Sequence, residues 1–175
     1  MAKALPHEQE LYDKIKNEKI TVPLLIWDLI YRYLGDDISA ITQITLSYWR
    51  YNEPIAVEAA KRILEHTKRI NAIVEKILHP EKIKEDAEGF EDLKDYDTAL
   101  HPIINELFFH YIGNDVYGIN MIIGFHLDPR DTNPVPQDDA QKILNKTFTM
   151  MKFLDRLREA TNQEITYSPF RKKFS

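Results

Sequence analysis

Cysteine is missing altogether from the 175 residues. Disulfides, thiol chemistry and zinc sites built on thiolates are therefore excluded. Glycine is scarce, with 5 in the chain, and neither a GxGxxG run nor a GxxxxGK run followed by Ser or Thr occurs. No phosphate-cradling loop of a nucleotide site is legible. Positive charge is also short: 23 Lys and Arg stand against 28 Asp and Glu, a formal net charge of -5. That balance argues against a nucleic-acid surface, which needs clustered cations to meet the phosphate backbone. Long apolar runs are lacking too, since the most apolar one, Val22 to Ile30, is interrupted by Pro23 and Asp28 and is too short to span a bilayer. The start of the sequence has no basic segment followed by an apolar one, so a cytoplasmic protein with no membrane association is expected.

What is present is enough for a core: 43% of the residues are hydrophobic, and the length fits one domain. The most informative stretch is INELFFHYIGNDVYGINMIIG, Ile104 to Gly124. Apolar residues at Ile104, Phe108, Ile112, Val116, Ile119 and Ile122 follow the three-and-four spacing of one buried helix face. Glu106, His110 and Asn114 stand one turn apart on the neighbouring face, where a histidine would meet water.

The same pattern occurs earlier. Shifting by 78 positions aligns Ile26 to Leu46 with Ile104 to Gly124, with identities at Ile26/Ile104, Leu29/Leu107, Tyr33/Tyr111, Gly35/Gly113, Asp37/Asp115, Ile41/Ile119 and Ile44/Ile122. Allowing two extra residues in the second loop continues the match, pairing Ile63/Ile143, Leu64/Leu144, Ile70/Met150, Ile73/Phe153, Val74/Leu154 and Ile77/Leu157. An internal duplication accounts for this, and Arg32 then occupies the place of His110. The expected fold is all-α: a four-helix bundle of two duplicated hairpins, at 19–79 and 103–160, forming a monomeric pseudo-dimer. An acidic connector at 80–102 joins them, and a basic, aromatic tail covers 161–175.

Taken in order, Pro6 to Asn17 predicts a short charged helix with Leu11 and Ile15 inward. A first long helix runs from Thr21 or Pro23 to about Tyr51 and turns at Asn52–Pro54, and the second helix ends at Pro80. The second unit's loop, Leu127 to Asp139, is longer and richer in proline. Gly35 and Gly113, both inside helices, suggest close helix packing at their level, or room for a docking partner. The tail is expected as an extended strap over the bundle or a partner-binding segment.

His110-Tyr111-Ile112-Gly113-Asn114-Asp115, with its flanking apolar spacing, resembles the H-box helix of the dimerisation and histidine-phosphotransfer domain of sensor histidine kinases, in its archaeal form. Lys142 to Arg158 resembles that domain's second helix. The resemblance implies that a fused duplication supplies both hairpins of a bundle that the family builds from two subunits. It implies a phosphorelay role in which His110 accepts a phosphoryl group from one receiver aspartate and gives it to another. Asn114 would orient the receiver or a water, and Glu106 would hold the other imidazole nitrogen. Mg²⁺ would come from the receiver partner, so the chain needs no cofactor or metal of its own. Two departures stand out. Tyr111 occupies the position of the acid that usually follows the histidine, which argues against self-phosphorylation, and no ATP-binding domain is legible.

A second class of function remains open: a catalytically silent adaptor that keeps the bundle to bind a receiver or a histidine kinase. A third is a metal-carboxylate bundle using the Glu106/His110 pair, although the Glu-x-x-His pattern of ferritin-like sites is absent. His7, His66, His79, His101 and His126 lie at ends, loops or unmatched positions and receive no role.

Overall fold

The computed structural model describes residues 7–79 and 99–163. Most of the expected connector and almost all of the tail lie outside them. Five helices are described, and among the described residues no strand occurs. Helix α1 is Glu8–Asn17. Helix α2 is composite, with α-helical Leu24–Leu29, a π-helical segment Ile30–Leu34 and α-helical Gly35–Trp49. Helix α3 is Val57–Leu78. Helix α4 repeats the composite pattern, with Pro102–Phe108, a π-helical segment Phe109–Gly113 and Asn114–His126. Helix α5 is Gln137–Thr161.

The π segments follow from the apolar spacing. Ile26, Ile30, Leu34 and Ile38 stand four apart, as do Ile104, Phe108, Ile112 and Val116, and all eight are buried. At 3.6 residues per turn, each four-residue step drifts by about 40°, so three steps turn the stripe about 120° away from the core. A π turn closes i→i+5 and takes up one more residue, about 100°. It therefore returns the stripe to the same side. The two segments lie one residue out of register under the 78-residue shift.

Helices α2 and α4 each pack against both α3 and α5, which gives a ring in the order α2, α3, α4, α5. Ile41 and Ile119 are both fully buried, as are Ile63 and Ile143, and Ile70 and Met150. Thr67 and Thr147, also aligned, are both buried and bond back to their own helices, to Leu64 O and Leu144 O at 2.9 Å. At the hairpin end Ile55 and Val135 exchange two backbone hydrogen bonds, at 2.8 and 2.9 Å. These two residues stand 80 apart, the offset that aligns α3 with α5 in the sequence, and their antiparallel pairing joins the two interhelical turns.

Three local expectations are corrected. In α1 the buried pair is Tyr12 and Ile15, while Leu11 is half-buried, because Arg156 of α5 lies over the Tyr12 ring at 4.1 Å and turns that face inward. The last core position of α4 is Ile123, with Ile122 half-buried, as Thr45 and Ile44 are in α2. Gly35 and Gly113 do not mark a close approach of two helices. A Cβ at either would meet only its own helix, Ile30 O or the Phe109 ring, at 3.4 Å. Each glycine sits where a π segment ends.

The chain ends of the bundle are clamped. Gln163 accepts from Val22 N at 2.9 Å and from Trp27 Nε1 at 2.8 Å, and donates to Val22 O at 2.8 Å. This satisfies the backbone just before α2, where helix-start donors otherwise lack partners. Among the described residues no helix is long and apolar enough to cross a membrane.

Candidate functional site

His110 lies inside the π segment of α4, half-buried, with its ring edge-on to that of Tyr111 at 4.8 Å. Glu106, four residues before it, and Asn114, four after it, are exposed. The four-residue spacing keeps the three on one side of α4 for the same reason that it keeps the core stripe in line. Asn114 lines a groove of about 480 Å³ between α3 and α4, together with Phe109, Tyr117, Asn71, Glu75 and Leu78. Phe109 and Tyr117 present most of their rings to solvent.

Tyr111, against the His110 ring, turns into the bundle. It is buried against Phe153 of α5, with ring centroids 5.1 Å apart. Burial first, and then the Glu8 carboxylate facing it as a hydrogen-bond acceptor, push its phenol well above the usual tyrosine range. Glu8 is held in turn by Arg156, whose Nη1 donates to it at 2.6 Å. Tyr111 therefore keeps its proton at neutral pH.

The sequence singled out no role for Asp115 or Asp37, and both are buried in the bundle. Asp37 Oδ1 accepts from His66 Nδ1 at 2.7 Å and from Arg69 Nε and Nη2 at 3.1 and 2.8 Å. The imidazole donates in this pair, which places its proton on Nδ1. Asp115 Oδ1 lies 3.8 Å from Lys146 Nζ, and its Oδ2 is buried without a hydrogen-bond partner. Burial raises the Asp115 carboxyl above its ordinary pKa, opposed first by Lys146 and less by His110. Lys146 is the aligned counterpart of His66, so the two hairpins meet the buried acid at this level with different side chains. A signal for this was present in the sequence: Asp37 and Asp115 are identical in the repeat, five residues beyond Arg32 and His110. In an α-helix a residue five further on stands about 140° round from the first.

His126 also pairs with an acid, its Nε2 lying 2.7 Å from Asp139 Oδ2. That contact ties the end of α4 to the start of α5 beside the hairpin loop. Among the described residues no group of three or more His, Asp or Glu is placed to hold a metal ion. No family model, curated protein or solved structure matches the chain significantly.

Proposed function

We propose that the chain is a histidine phosphotransfer protein of the two-component type, acting as a monomeric pseudo-dimer. His110 is the residue that carries the phosphoryl group between receiver aspartates. The observation that supports this best is the position of His110: half-buried on a helix packed along its whole inner face, with exposed Glu106 and Asn114 on either side of it. Phosphoryl transfer is mostly positioning and charge stabilisation. A rigid helix that offers one ring nitrogen to a docked receiver meets the first need, and Mg²⁺ in the receiver's acidic pocket meets the second. A neutral imidazole nitrogen attacks phosphorus, the N–P bond forms as the acyl O–P bond breaks, and the electron pair leaves with the receiver's carboxylate. Glu106 and Asn114 orient the incoming group, and Arg32 makes the first unit a scaffold, since its guanidinium is not a phosphoryl acceptor.

A second reading, a silent adaptor that binds a receiver or a histidine kinase, is favoured by one observation. Tyr111, in the place of the acid, is turned into the α1–α5 interface.

Incubation with a phosphorylated receiver and Mg²⁺ separates the two. The relay gives an acid-labile, base-stable phosphoprotein, which His110→Gln abolishes and Arg32→Ala retains. Receiver binding without any label establishes the adaptor, and neither binding nor label leaves the fold alone standing.

A further inference from the structure

The outer sides of α2 and α4 differ where the two helices otherwise correspond. On α4, Phe109, Tyr117, Met121 and Phe125 are 57, 65, 58 and 78% exposed, and Gly113 fills the remaining place in a series of every fourth residue. Residues four apart keep to one side of an α or a π turn, so the five form a ridge about 24 Å long. Shifted by 78, the same places on α2 are Tyr31, Gly35, Ser39, Gln43 and Ser47, and the last three are exposed as well. The fold accepts polar side chains along this line, so the bundle itself does not require the apolar ridge of α4. A monomer rarely leaves such a face to water.

Three features point to a second copy of the chain as its cover. The first is size. With about 150–250 Å² in each aromatic side chain, these exposures leave on the order of 500 Å² of apolar surface, more than half of the about 800 Å² that each partner gives to a stable interface. The second is charge. Each chain carries -5, so two copies repel in general, yet Val116 to Phe125 holds no charged residue, and two such faces meet without setting like charges against each other. The third is shape. A twofold axis through the ridge at Tyr117 runs the two helices antiparallel, sets Phe109 opposite the second copy's Phe125, and sets the gap at Gly113 opposite the second copy's Met121. A twofold interface needs this self-complementarity, and the flexible methionine side chain suits an irregular gap. The gap is open: Phe109, Gly113 and Tyr117 line the groove of about 480 Å³ between α3 and α4.

We propose that two copies pair antiparallel across the α4 ridge, about a twofold at Tyr117, and that this pair is the resting state of the chain. Asn114 lines the same groove, so pairing covers the side of α4 that carries Glu106, His110 and Asn114. A receiver reaches His110 only in the separated chain, which remains the acting form. The pairing stands on the ridge alone, whereas the masking of His110 rests on the transfer reading above.

Sedimentation velocity on the full chain tests this. Over a dilution series from about 100 to 1 µM, the wild type should pass from a species of about twice 20.6 kDa to the single chain. Met121→Glu should raise the dissociation constant about 100-fold, because it sets like charges against each other across the axis. Gln43→Glu, the matching change on α2, should leave it within about 2-fold, as exposed substitutions away from an interface do. A wild type that is a single chain at every concentration overturns the proposal, a result that needs no variant. So does a dimer that Met121→Glu, folded by circular dichroism, leaves intact. A phosphorylated receiver should split the pair as it binds, and a complex that keeps both copies overturns the resting state. If the chain pairs as described but neither phosphoramidate nor any receiver labels His110, the pairing is upheld and the relay is removed instead.

Discussion

Asp37 and Asp115 sit at the same level of the two hairpins and are both buried, yet their surroundings differ in kind. Asp37 is bonded to His66 and Arg69 of the neighbouring helix α3. Asp115 has a distant ammonium from α5, 3.8 Å away, and one unpartnered oxygen. The position of Arg32 in the first unit is held by His110 in the second, that of His66 by Lys146, and that of Ala40 by Gly118. These replacements are coupled, because a Cβ on Gly118 would lie 2.8 Å from both Cε and Nζ of Lys146. The lysine reaches Asp115 only because it crosses a glycine. The comparison teaches that one backbone can hold a closed, hydrogen-bonded acid in one half and an under-satisfied one in the other.

The largest effect should be shared by the two halves. Ile41→Ala and Ile119→Ala each remove a fully buried side chain at the same level, and each should cost about 2–5 kcal/mol in chemical denaturation. Losses differing by more than about 2 kcal/mol would mean that the two levels are not equivalent. His110→Ala, at a half-buried position, should cost far less than either.

The next effect should divide the halves. Asp37→Asn disrupts charge-assisted hydrogen bonds and should cost about 1–3 kcal/mol, whereas Asp115→Asn removes a poorly compensated charge and should cost less than about 1 kcal/mol. The pH dependence has a definite sign. The folded pKa of Asp115 is raised, so over that window the folded state binds more protons than the unfolded one, and stability falls as pH rises. From about pH 4, the ordinary aspartate value, up through the raised pKa, the wild type should lose stability relative to Asp115→Asn. Above that pKa the difference should be constant. Paired melting curves across this range would show it, and a difference of the opposite slope would mean that Lys146 outweighs burial.

The smallest effect sharpens the comparison most. Gly118→Ala makes the second unit resemble the first at Ala40, gaining up to about 1 kcal/mol of helix propensity while pushing the Lys146 ammonium away from Asp115. The net change in denaturation midpoint should be close to zero. The Lys146 side-chain resonances should nevertheless shift, and a clear stabilisation with those resonances unchanged would show that the ion pair never depended on the glycine.

Much of the fold was legible from spacing alone. The helical hairpins, the apolar pairs of α3 and α5 and the outward places of Glu106 and Asn114 all follow from counting residues, because burial of an apolar stripe is periodic. The N-terminal helix was legible only in outline, since Arg156, far away in the chain, selects Tyr12 over Leu11 for the buried face.

The sequence by itself determined that the chain forms an all-helical bundle and that one unit carries histidine where the other carries arginine. Only the tertiary structure decided that Asp37 and Asp115 are buried and which cationic or imidazole side chains meet them. Four-residue spacing is compatible with a drifting α-helix or with a π segment that resets the phase, and packing against α3 and α5 selects the second. That one extra residue keeps the apolar stripe on the core side along the whole helix. Tyr111, next to the histidine in sequence, is drawn into the contact with α1 and α5 because its large ring finds an apolar partner there in Phe153.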